Sequence, residues 1–447
     1  MKQSALLFLA FTSFLSAKTY TLNEAISTAL INNQKHNISA QDIAIAKAKY
    51  NQALSINYPT LDISIMANRR DEAFIDEVHT NFQLPPAMGG ISLPVNYTHT
   101  ISGRDTAIAK IQTQYALYSG GKISAIQKQA KAGIQYANEQ NKLTDDEIVR
   151  DVKKYYATVI LSKNLERLMQ KTVDEMKATF DLTEAFYKGE SLKVKKTDYL
   201  RAKMTLLNMQ SILLSMKNST QLAIGALTFE MGLKEHDNIK IKNTNLQTIH
   251  LPKNLEECYT QLYINNHQLK QLKIALHVKN AQEEEAKSEY LPSVGLYANA
   301  QNLYSNEDGG IINDQNKHAW NIGIALKYNL FNGGATTAKI EEAKSQKLKL
   351  KAQRAYLQTG LSLQTKNAYL KAKTALKQLK IMQEAVKTAQ ENSELNFRAY
   401  SEELVDTKDI LEAQFIRSLT EVAYYKTLYQ AQVEKANLDY LIGKSIK

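Results

Sequence analysis

The chain has 447 residues, of which 44% are hydrophobic, so it is long enough for two or three domains and general disorder is excluded. The formal net charge of +11 is compatible with binding to nucleic acid or to an anionic surface. However, Lys and Glu are scattered along helical faces and do not form one basic patch. We therefore expect a solvated surface and no nucleic-acid binding. The single cysteine, Cys258, excludes an internal disulfide and is expected to be a buried helix residue.

The first residues have the pattern of a signal peptide. Lys2 is followed by an apolar run from Ala5 to Leu15 and then by Ser16 and Ala17. This run is too short to span a bilayer but suits a secretory signal, so residues 1–17 are predicted to be removed after Ala17. No other run of about eighteen apolar residues follows, so we expect no helical membrane span. The mature chain is then either a soluble exported protein or a β-barrel.

The rest of the chain is an internal duplication. The matched blocks are 22–25 with 255–258, 31–33 with 264–266 and Pro59 with Pro292 at an offset of 233, 117–121 with 330–334 at 213, and Phe186 with Phe397, 198–202 with 409–413 and Gly232 with Gly443 at 211. Their order is preserved. The sequence therefore predicts a first structural repeat over residues 18–233, a polar connector over 234–253 and a second repeat over 254–447.

Each repeat is predicted to begin with a helix. Thr21-Leu22-Asn23-Glu24 has the form of a capping box, and amphipathic sequence continues to about Ile56. The corresponding helix of the second repeat is expected from about Asn254 to Glu289. Both helices end shortly before a proline, as helices tend to do.

After each proline the hydrophobic period changes from helical to two, which predicts four strands, at about 59–72, 97–118, 292–304 and 318–330. The clearest alternation places Trp320, Ile322, Ile324 and Leu326 on one face of the last strand. A soluble sheet with one face on a core would show the same alternation. The aromatic residues near the strand ends favour a membrane barrel instead, and they are Tyr115, Tyr118, Trp320, Tyr328 and Phe331.

The loops of these strand pairs, at about 71–95 and 305–317, are polar or rich in Pro and Gly, as expected outside a membrane. Four strands cannot close a barrel with a lumen, and an open sheet edge is not tolerated in lipid. We therefore expect the chain to oligomerise, and three copies would supply twelve strands.

Each repeat is predicted to close with a helical hairpin, at about 121–231 and 334–442. The helix over 336–399 would be about 100 Å long at 1.5 Å per residue. It carries a heptad seam of alternating spacings of four and three, made of Leu361, Thr365, Ala368, Ala372, Ala375, Leu379, Met382, Val386, Ala389 and Ser393. Six of these ten residues are Ala, Ser or Thr, so the partner helix should approach closely.

These features together resemble the TolC-like outer-membrane factors of efflux pumps and type I secretion systems. The resemblance rests on the duplication, on Tyr58-Pro59-Thr60-Leu61 and Tyr290-Leu291-Pro292-Ser293 at the strand starts, and on residues 117–121 and 330–334 at the strand ends. It implies a mixed α and β fold in a homotrimer, with a twelve-stranded barrel in outer-membrane lipid continued by a twelve-helix periplasmic coiled-coil barrel. The implied partners are a periplasmic adaptor (membrane fusion) protein and an inner-membrane transporter of the RND or ABC type.

The resemblance also implies functional residues. Asp409 and Glu412 match acidic positions that ring the periplasmic mouth in the family, and Asp198 occupies the equivalent place in the first hairpin; ordinary solvated acids are the alternative. The helical tips that meet the adaptor would include Gly189, Glu190, Tyr400 and Ser401. The turns differ from the family pattern by about three added residues and by the lack of a glycine at position 400.

No motif for catalysis or cofactor binding is visible, so we expect neither an enzyme nor a cofactor. Glu283-Glu284-Glu285 and the Asp76-Glu77-His79 segment could bind a metal, but a charged helix face and an outer loop explain them better. The predicted function is a passive exit duct for drugs, small molecules or proteins in the outer membrane of a Gram-negative bacterium. The alternative is a periplasmic or surface coiled-coil protein that conducts nothing; a hydrolase has no residues to support it.

Overall fold

A computed structural model describes residues 18–235, 237, 239–242, 249–307 and 317–444. The predicted signal peptide, part of the connector and most of the loop at 305–317 lie outside these residues. The chain divides into two compact units. We call Met1–Ala44, Tyr136–Lys273 and Lys351–Lys447 the helical unit and Ile45–Gln135 and Ile274–Leu350 the sheet unit.

The described part of the chain contains eight α-helices and eight strands. In chain order they are β1 (Lys18–Tyr20), α1 (Leu22–Asn32), α2 (Gln34–Ser55), β2 (Thr60–Arg69), β3 (Phe74–Gln83), β4 (Ser92–Ser102), β5 (Asp105–Tyr118), α3 (Lys122–Lys188), α4 (Lys196–Glu230), β6 (Ile239–Ile241), α5 (Leu255–Asn265), α6 (His267–Ser288), β7 (Ser293–Ser305), β8 (His318–Lys327), α7 (Ala335–Ser401) and α8 (Thr407–Leu441).

The main sheet of the sheet unit is antiparallel, with the strand order β2-β5-β7-β8. Its register places Ile63, Ile111, Ala300 and Trp320 side by side across the four strands. Because side chains alternate along a strand, these residues share one apolar face. The opposite face is polar, and there the side-chain amides of Asn299 and Asn321 exchange hydrogen bonds of 3.0 and 3.1 Å.

The strands differ from the prediction in their bounds and in one register, and β2 ends at Arg69 where residue 72 was predicted. The strand expected at 97–118 is two strands, because β4 ends at Ser102 and β5 begins at Asp105 after Gly103 and Arg104. A bulge at Leu117 then shifts the register, so that Tyr118 and not Leu117 lies opposite Val294. The last strand ends at Lys327, short of the predicted residue 330.

The segment at 71–95 is not a loop. It contains β3 and the start of β4, which form a separate antiparallel hairpin. Sequence reasoning missed it because Pro94 lies inside β4, and a proline in a run argues against a strand unless the run is an edge. A two-stranded ribbon has two edges, and it therefore tolerates this proline.

The helices of the two repeats have equal lengths. α3 and α7 each have 67 residues, and α4 and α8 each have 35. The two long helices end at Lys188 and Ser401, an offset of 213, whereas the returning helices start at Lys196 and Thr407, an offset of 211. The two additional residues of the first repeat therefore lie in its turn. Phe186 corresponds to Ala399, so its match with Phe397 was wrong.

The helix predicted over residues 21–56 is broken at Asn33, and its counterpart is broken at Asn266. At each break the asparagine amide donates to the carbonyl of a returning helix: Asn33 Nδ2 to Glu230 O at 2.7 Å and Asn266 Nδ2 to Leu441 O at 3.0 Å. Such buried bonds satisfy carbonyls that a helix end leaves unpaired. They fix the C-terminal ends of α4 and α8.

The core of the helical unit consists of clusters between helices and the short parallel pair β1 and β6. The first cluster joins Tyr20 and Ile241 to Ile148 and Val152 of α3 and Leu227 of α4. All ten residues of the predicted seam on α7 are buried or half-buried. The seam is therefore a true packing surface.

Candidate functional site

The turns of the two hairpins, residues 189–195 and 402–406, contact each other. Ser191 Oγ donates to Glu403 Oε2 at 2.8 Å, and Lys193 Nζ donates to the Glu403 carbonyl at 2.7 Å. Glu403 has a φ of 58°, a left-handed conformation that costs about 1–2 kcal/mol for a residue with a side chain. Hydrogen bonds from the other turn hold it there, so the turns form one structural element.

Tyr400 does not lie on the surface of this tip. Its side chain is 2% exposed, its hydroxyl lies 2.8 Å from Thr183 Oγ1 and 2.9 Å from Thr407 Oγ1, and its ring meets Phe186 edge-on. The contact of Tyr400 with an adaptor stays a prediction, and the burial of its side chain in the protomer argues against it. The hydroxyl of Tyr400 contacts α3 and α8, so in the protomer it joins these helices and does not face a docking partner.

The other predicted tip residues, Gly189, Glu190 and Ser401, are exposed. Sequence reasoning missed two leucines beside them: Leu192 is fully exposed and Leu404 is 70% exposed. A leucine between charged residues in a short turn was the available signal. An isolated exposed leucine is common, but one in each turn at the same tip makes an apolar spot.

Two of the predicted gate acids cap helices. Asp198 Oδ2 accepts from the Lys195 amide at 3.1 Å, and Asp409 Oδ2 accepts from the Asp406 amide at 3.2 Å. A carboxylate in the first turn also interacts favourably with the helix dipole. Glu412 is exposed and makes no hydrogen bond or ion pair within the described part of the chain. The three acids therefore differ in their local roles.

Below the tip, α8 is joined to α3 by polar contacts at helical spacing. Gln414 Nε2 donates to Thr179 Oγ1 at 2.9 Å, and one turn further Thr172 Oγ1 donates to Ser418 Oγ at 3.3 Å. Near the far end of α8, Tyr440 donates to Glu147 Oε1 at 3.0 Å, and burial with this carboxylate raises the pKa of the phenol. These contacts join the first repeat to the second.

The strongest contact in this ladder is ionic. Arg417 is 4% exposed, and its Nη1 and Nη2 lie 2.9 and 2.6 Å from the two carboxylate oxygens of Glu175 on α3. Its Nε lies 3.3 Å from Glu421 Oε1 on α8 itself. Two-pronged binding of a carboxylate by arginine fixes both distance and angle. Arg417 therefore sets the position of α8 on α3.

The predicted interface aromatics lie at two levels of the sheet unit. Tyr115 and Tyr118 are in the last four residues of β5, and Tyr328 and Phe331 lie within four residues after the end of β8. Trp320 lies at the other end of β8, opposite Ala300, and is 77% exposed. This spacing suits two aromatic girdles separated by the apolar face.

The two candidate metal segments, 283–285 and 76–79, do not gather into a cluster of possible ligands in the part of the chain that the structure describes. No group of His, Cys, Asp and Glu among the described residues could hold a metal ion. Glu283 instead pairs with Lys287 and Lys347, and the hydrogen bond from Lys287 lowers its pKa. None of the described helices is both long and apolar enough to pass through a bilayer.

Comparison with known proteins identifies the class. The sequence matches the outer membrane efflux protein family over residues 25–233 and 258–444. The two matches begin 233 positions apart, which is the offset of the duplication. Because they cover most of the chain, the protein belongs to the outer membrane efflux protein family. As a member of this family, it is an outer-membrane efflux protein that serves as an exit duct.

Solved structures show the same fold. The CmeC outer membrane channel of Campylobacter jejuni is 16% identical, with a TM-score of 0.75, over 95% of this chain and 86% of that one. The VceC outer membrane protein of Vibrio cholerae is 17% identical, with a TM-score of 0.72, over 94% and 96%. The open-state MtrE channel of Neisseria gonorrhoeae is 14% identical, with a TM-score of 0.74, over 95% and 89%. No curated protein sequence matches the chain.

Proposed function

We propose that this channel works as a homotrimer and forms the exit duct of a tripartite efflux pump or a type I secretion system. A periplasmic adaptor would join it to an inner-membrane transporter of the RND or ABC type. Cargo, whether drugs, other small molecules or proteins, would enter at the helical tip and leave through the barrel. The energy would come from the transporter, because the chain has no motif for nucleotide binding.

A second apolar seam on α4 carries the proposal. One seam of this helix, with Ala202, Leu206, Met209 and Leu213, is buried in the protomer. A second row of apolar residues on this helix, at spacings of three, four, seven or eight, is more than half exposed at each residue, and it consists of Leu200, Met204, Leu207, Leu214, Leu222 and Phe229. An apolar stripe of this length on one helix needs another helix to cover it. A second copy of the chain supplies that helix.

The sheet supports the same assembly. On its apolar face Leu61, Ile63, Ile65, Ile322, Ile324 and Leu326 are each more than 60% exposed in the protomer. The edge strands β2 and β8 have unpaired backbone groups, which lipid does not tolerate. Three copies joined edge to edge would leave no free edge and would turn the apolar face to lipid.

The gate would lie where α8 meets the tip. In a trimer, three copies of Glu412, Asp409 and Asp198 would concentrate negative charge at the mouth and favour cations. Glu412 is the best candidate for direct contact with ions, since the other two acids cap their helices. Gly189, Glu190 and Ser401, with Leu192 and Leu404, would form the surface that the adaptor touches.

The mass of the purified protein in detergent tests the assembly, and conductance in planar bilayers tests the duct. We expect a trimeric mass and discrete cation-preferring channels, with a deletion strain becoming sensitive to the exported compounds. A protein that stays monomeric in detergent at all concentrations, or trimers that never conduct, would end the proposal.

A further inference from the structure

Two histidines at the starts of α2 and α6 contact the same short segment of α3. His36 is the third residue of α2, and its Nδ1 lies 2.6 Å from Asp145 Oδ1. His267 is the first residue of α6, and its Nδ1 lies 2.6 Å from Glu139 Oε2. Both helices are therefore joined to α3 by an imidazole and a carboxylate.

The ring of His267 lies between two carboxylates. Besides the contact of Nδ1 with Glu139, its Nε2 lies 3.5 Å from Asp146 Oδ2, and the side chains of His267 and Asp146 are only 14% and 5% exposed. Glu139 and Asp146 are seven residues apart, so they lie on one face of α3. A neutral imidazole has a single N–H, whereas the protonated ring has one on each nitrogen. Only the charged form of His267 can therefore donate toward both acids.

The acids that receive these histidines are specific to the first repeat. Between residues 139 and 151, α3 has five acids, which are Glu139, Asp145, Asp146, Glu147 and Asp151. The corresponding part of α7, residues 352–364 at the offset of 213, has none. Since α7 forms a helix of the same length without them, a long helix at this place does not require the acids. Their partners on α2 and α6 supply a reason for them.

Each histidine follows a helix break that fixes the end of a returning helix. Asn266, at the break before α6, donates to a carbonyl at the end of α8, and His267 is the next residue. Asn33, at the break before α2, donates to a carbonyl at the end of α4, and His36 follows three residues later. The two imidazoles therefore connect α3 to the segments that hold the ends of α4 and α8.

We propose that His36 and His267 form a pH-sensitive lock, which ties the ends of α4 and α8 to α3 when the imidazoles are protonated and loosens when they are neutral. Histidine is the side chain that ordinarily changes its charge between about pH 5 and 8. The lock consists of contacts within one copy of the chain, so it does not depend on the proposed trimer.

The lock should tighten as the pH falls toward about 6. A carboxylate beside an imidazole favours the charged ring, so this stabilisation is present at low pH and is lost as the pH rises through the titration of the folded protein. Burial raises the pKa of Glu139, but hydrogen bonds from Lys142 and His267 outweigh burial and hold this pKa below its usual value. Glu139 therefore keeps its charge in mild acid. The lock is strongest at about pH 4.5–6, where rings and acids are both charged.

Other charged groups surround the same acids. Lys142 Nζ lies 2.7 Å from Glu139 Oε1. Asp146 interacts with Lys153 of α3 and with Tyr440 of α8. Lysine and tyrosine ordinarily titrate near pH 10, outside the range in which histidine changes its charge. Burial lowers the pKa of Lys153, so a variant that changes the histidine alone is needed to separate the two contributions.

The two breaks depend on their histidines to different degrees. The first has a further ionic contact, since Lys35 Nζ lies 3.1 Å from Glu230 Oε1. At the second break the position that corresponds to Lys35 is Gln268, which has no charge. The side chain of His36 is also more exposed than that of His267, at 31% against 14%. His267 should therefore have the larger effect.

Hydrogen–deuterium exchange of the purified full chain measures the lock at each break. The protein is labelled at about pH 5.5 and at about pH 8, with labelling times scaled for the intrinsic exchange rate, and peptides over residues 22–44 and 255–275 are compared. In the unmodified protein we expect about tenfold slower exchange at the lower pH over 255–275, and a smaller difference over 22–44, because local opening is rarer when the lock is closed.

Three variants make the test specific. His267→Gln keeps a hydrogen-bond donor that cannot become charged, so residues 255–275 should lose their response to pH while 22–44 keep theirs. His277→Gln is the control, since His277 lies on the same helix, is exposed and has no ion pair in the part of the chain that the structure describes. Glu139→Gln leaves the ring of His267 in place and removes the nearer charge, so it should weaken the response of 255–275.

A His267→Gln protein whose residues 255–275 still respond to pH like the unmodified protein would overturn the lock. An equal loss of the response in His277→Gln would do the same, because it would show that any histidine of α6 is sufficient. If His267→Gln gives no folded protein, Glu139→Gln decides, and an unchanged response in that variant would overturn the proposal.

Discussion

Replacing Arg417 by Met should loosen α8 from α3 and favour the open channel. Methionine has a similar length and no charge, so the change removes the ion pairs with Glu175 and Glu421 without leaving a large void. Glu175 then keeps the longer contact with Lys171 Nζ at 3.9 Å, and Glu421 keeps the hydrogen bond from Gln390 Nε2 at 3.1 Å. The variant tests whether the contact between the first repeat and α8 holds the channel closed.

The expected loss of stability follows from the burial of the side chains of Arg417 and Glu175. Removing one partner of a fully buried ion pair costs about 3–5 kcal/mol, since the other charge is left uncompensated. The side chain of Arg417 is 5% exposed, but that of Glu175 is 30% exposed, so water stabilises the orphaned carboxylate in part. We therefore expect about 2–3 kcal/mol per protomer, which is roughly a 30- to 150-fold change in an equilibrium constant.

Planar-bilayer conductance and thermal unfolding are the measurements. We expect Arg417→Met to raise the open probability and to lower Tm. Adding Glu175→Gln in the same chain should reverse part of both changes, because it removes the orphaned charge. Lys177→Met is the matched control. Lys177 pairs with Asp181 on α3 alone, both side chains are more than half exposed, and such pairs contribute about 0–1 kcal/mol.

Two results would refute this reasoning. An Arg417→Met channel with wild-type open probability and lowered Tm would show that the ion pair stabilises the fold but does not restrain the gate. Equal effects of Arg417→Met and Lys177→Met would show that the loss of a cation, whether buried or exposed, is sufficient.

Three further predictions address single residues. Tyr400→Phe removes the hydroxyl that two threonines share and keeps the ring, so it should lower stability by about 1 kcal/mol and raise open probability, as unfolding and conductance will show. Glu412→Gln should reduce the cation-to-anion permeability ratio without a change in Tm. Asp409→Asn should lower both the permeability ratio and Tm, because it weakens a helix cap of about 1 kcal/mol. Equal Tm losses in the two variants would contradict the conclusion that only Asp409 caps a helix. Gly232→Ala should destabilise the protein by about 2 kcal/mol or more, since φ is 68° and the new Cβ would clash with the carbonyl oxygen of Asn32. Gly225→Ala is the control. It should be neutral or stabilising, because Gly225 lies in a helix and a Cβ there would meet nothing within 4 Å.

The sheet was the most predictable part of the fold. Alternation with a period of two assigns each residue to a face, and the register then confirmed that Ile63, Ile111 and Trp320 share the apolar face. The order of helices and strands also followed from the duplication. Both inferences depend on patterns that repeat along the chain, so local exceptions such as the bulge at Leu117 do not disturb them.

The turns could not be predicted because matching by residue identity ignores helix continuity. Phe186 and Phe397 were paired at an offset of 211, which would place a two-residue difference inside a long helix. Such a difference would rotate the following helix by about 200° and reverse its buried face. The structure instead places it in the turn, where it costs little. Tyr400 was assigned to the surface because its position relative to α3 depends on tertiary packing, which the sequence pattern does not show.

The two junctions of α4 and α8 differ in how easily they can be separated. Where α8 meets α3, hydrogen bonds and an ion pair accompany the apolar contacts of Leu411 and Val422. A hydrogen bond contributes a net stability of only about 0.5–1.5 kcal/mol since water replaces the lost partner. Where α4 is proposed to meet a neighbour, Leu207 and Phe229 would have to return to water, at about 25 cal/mol per Å² of apolar surface. Water forms no hydrogen bond with these apolar side chains that would compensate for the lost contact. Opening should therefore separate α8 from α3 inside each protomer and leave the junctions between copies closed, so the ring can widen at its mouth without dissociating.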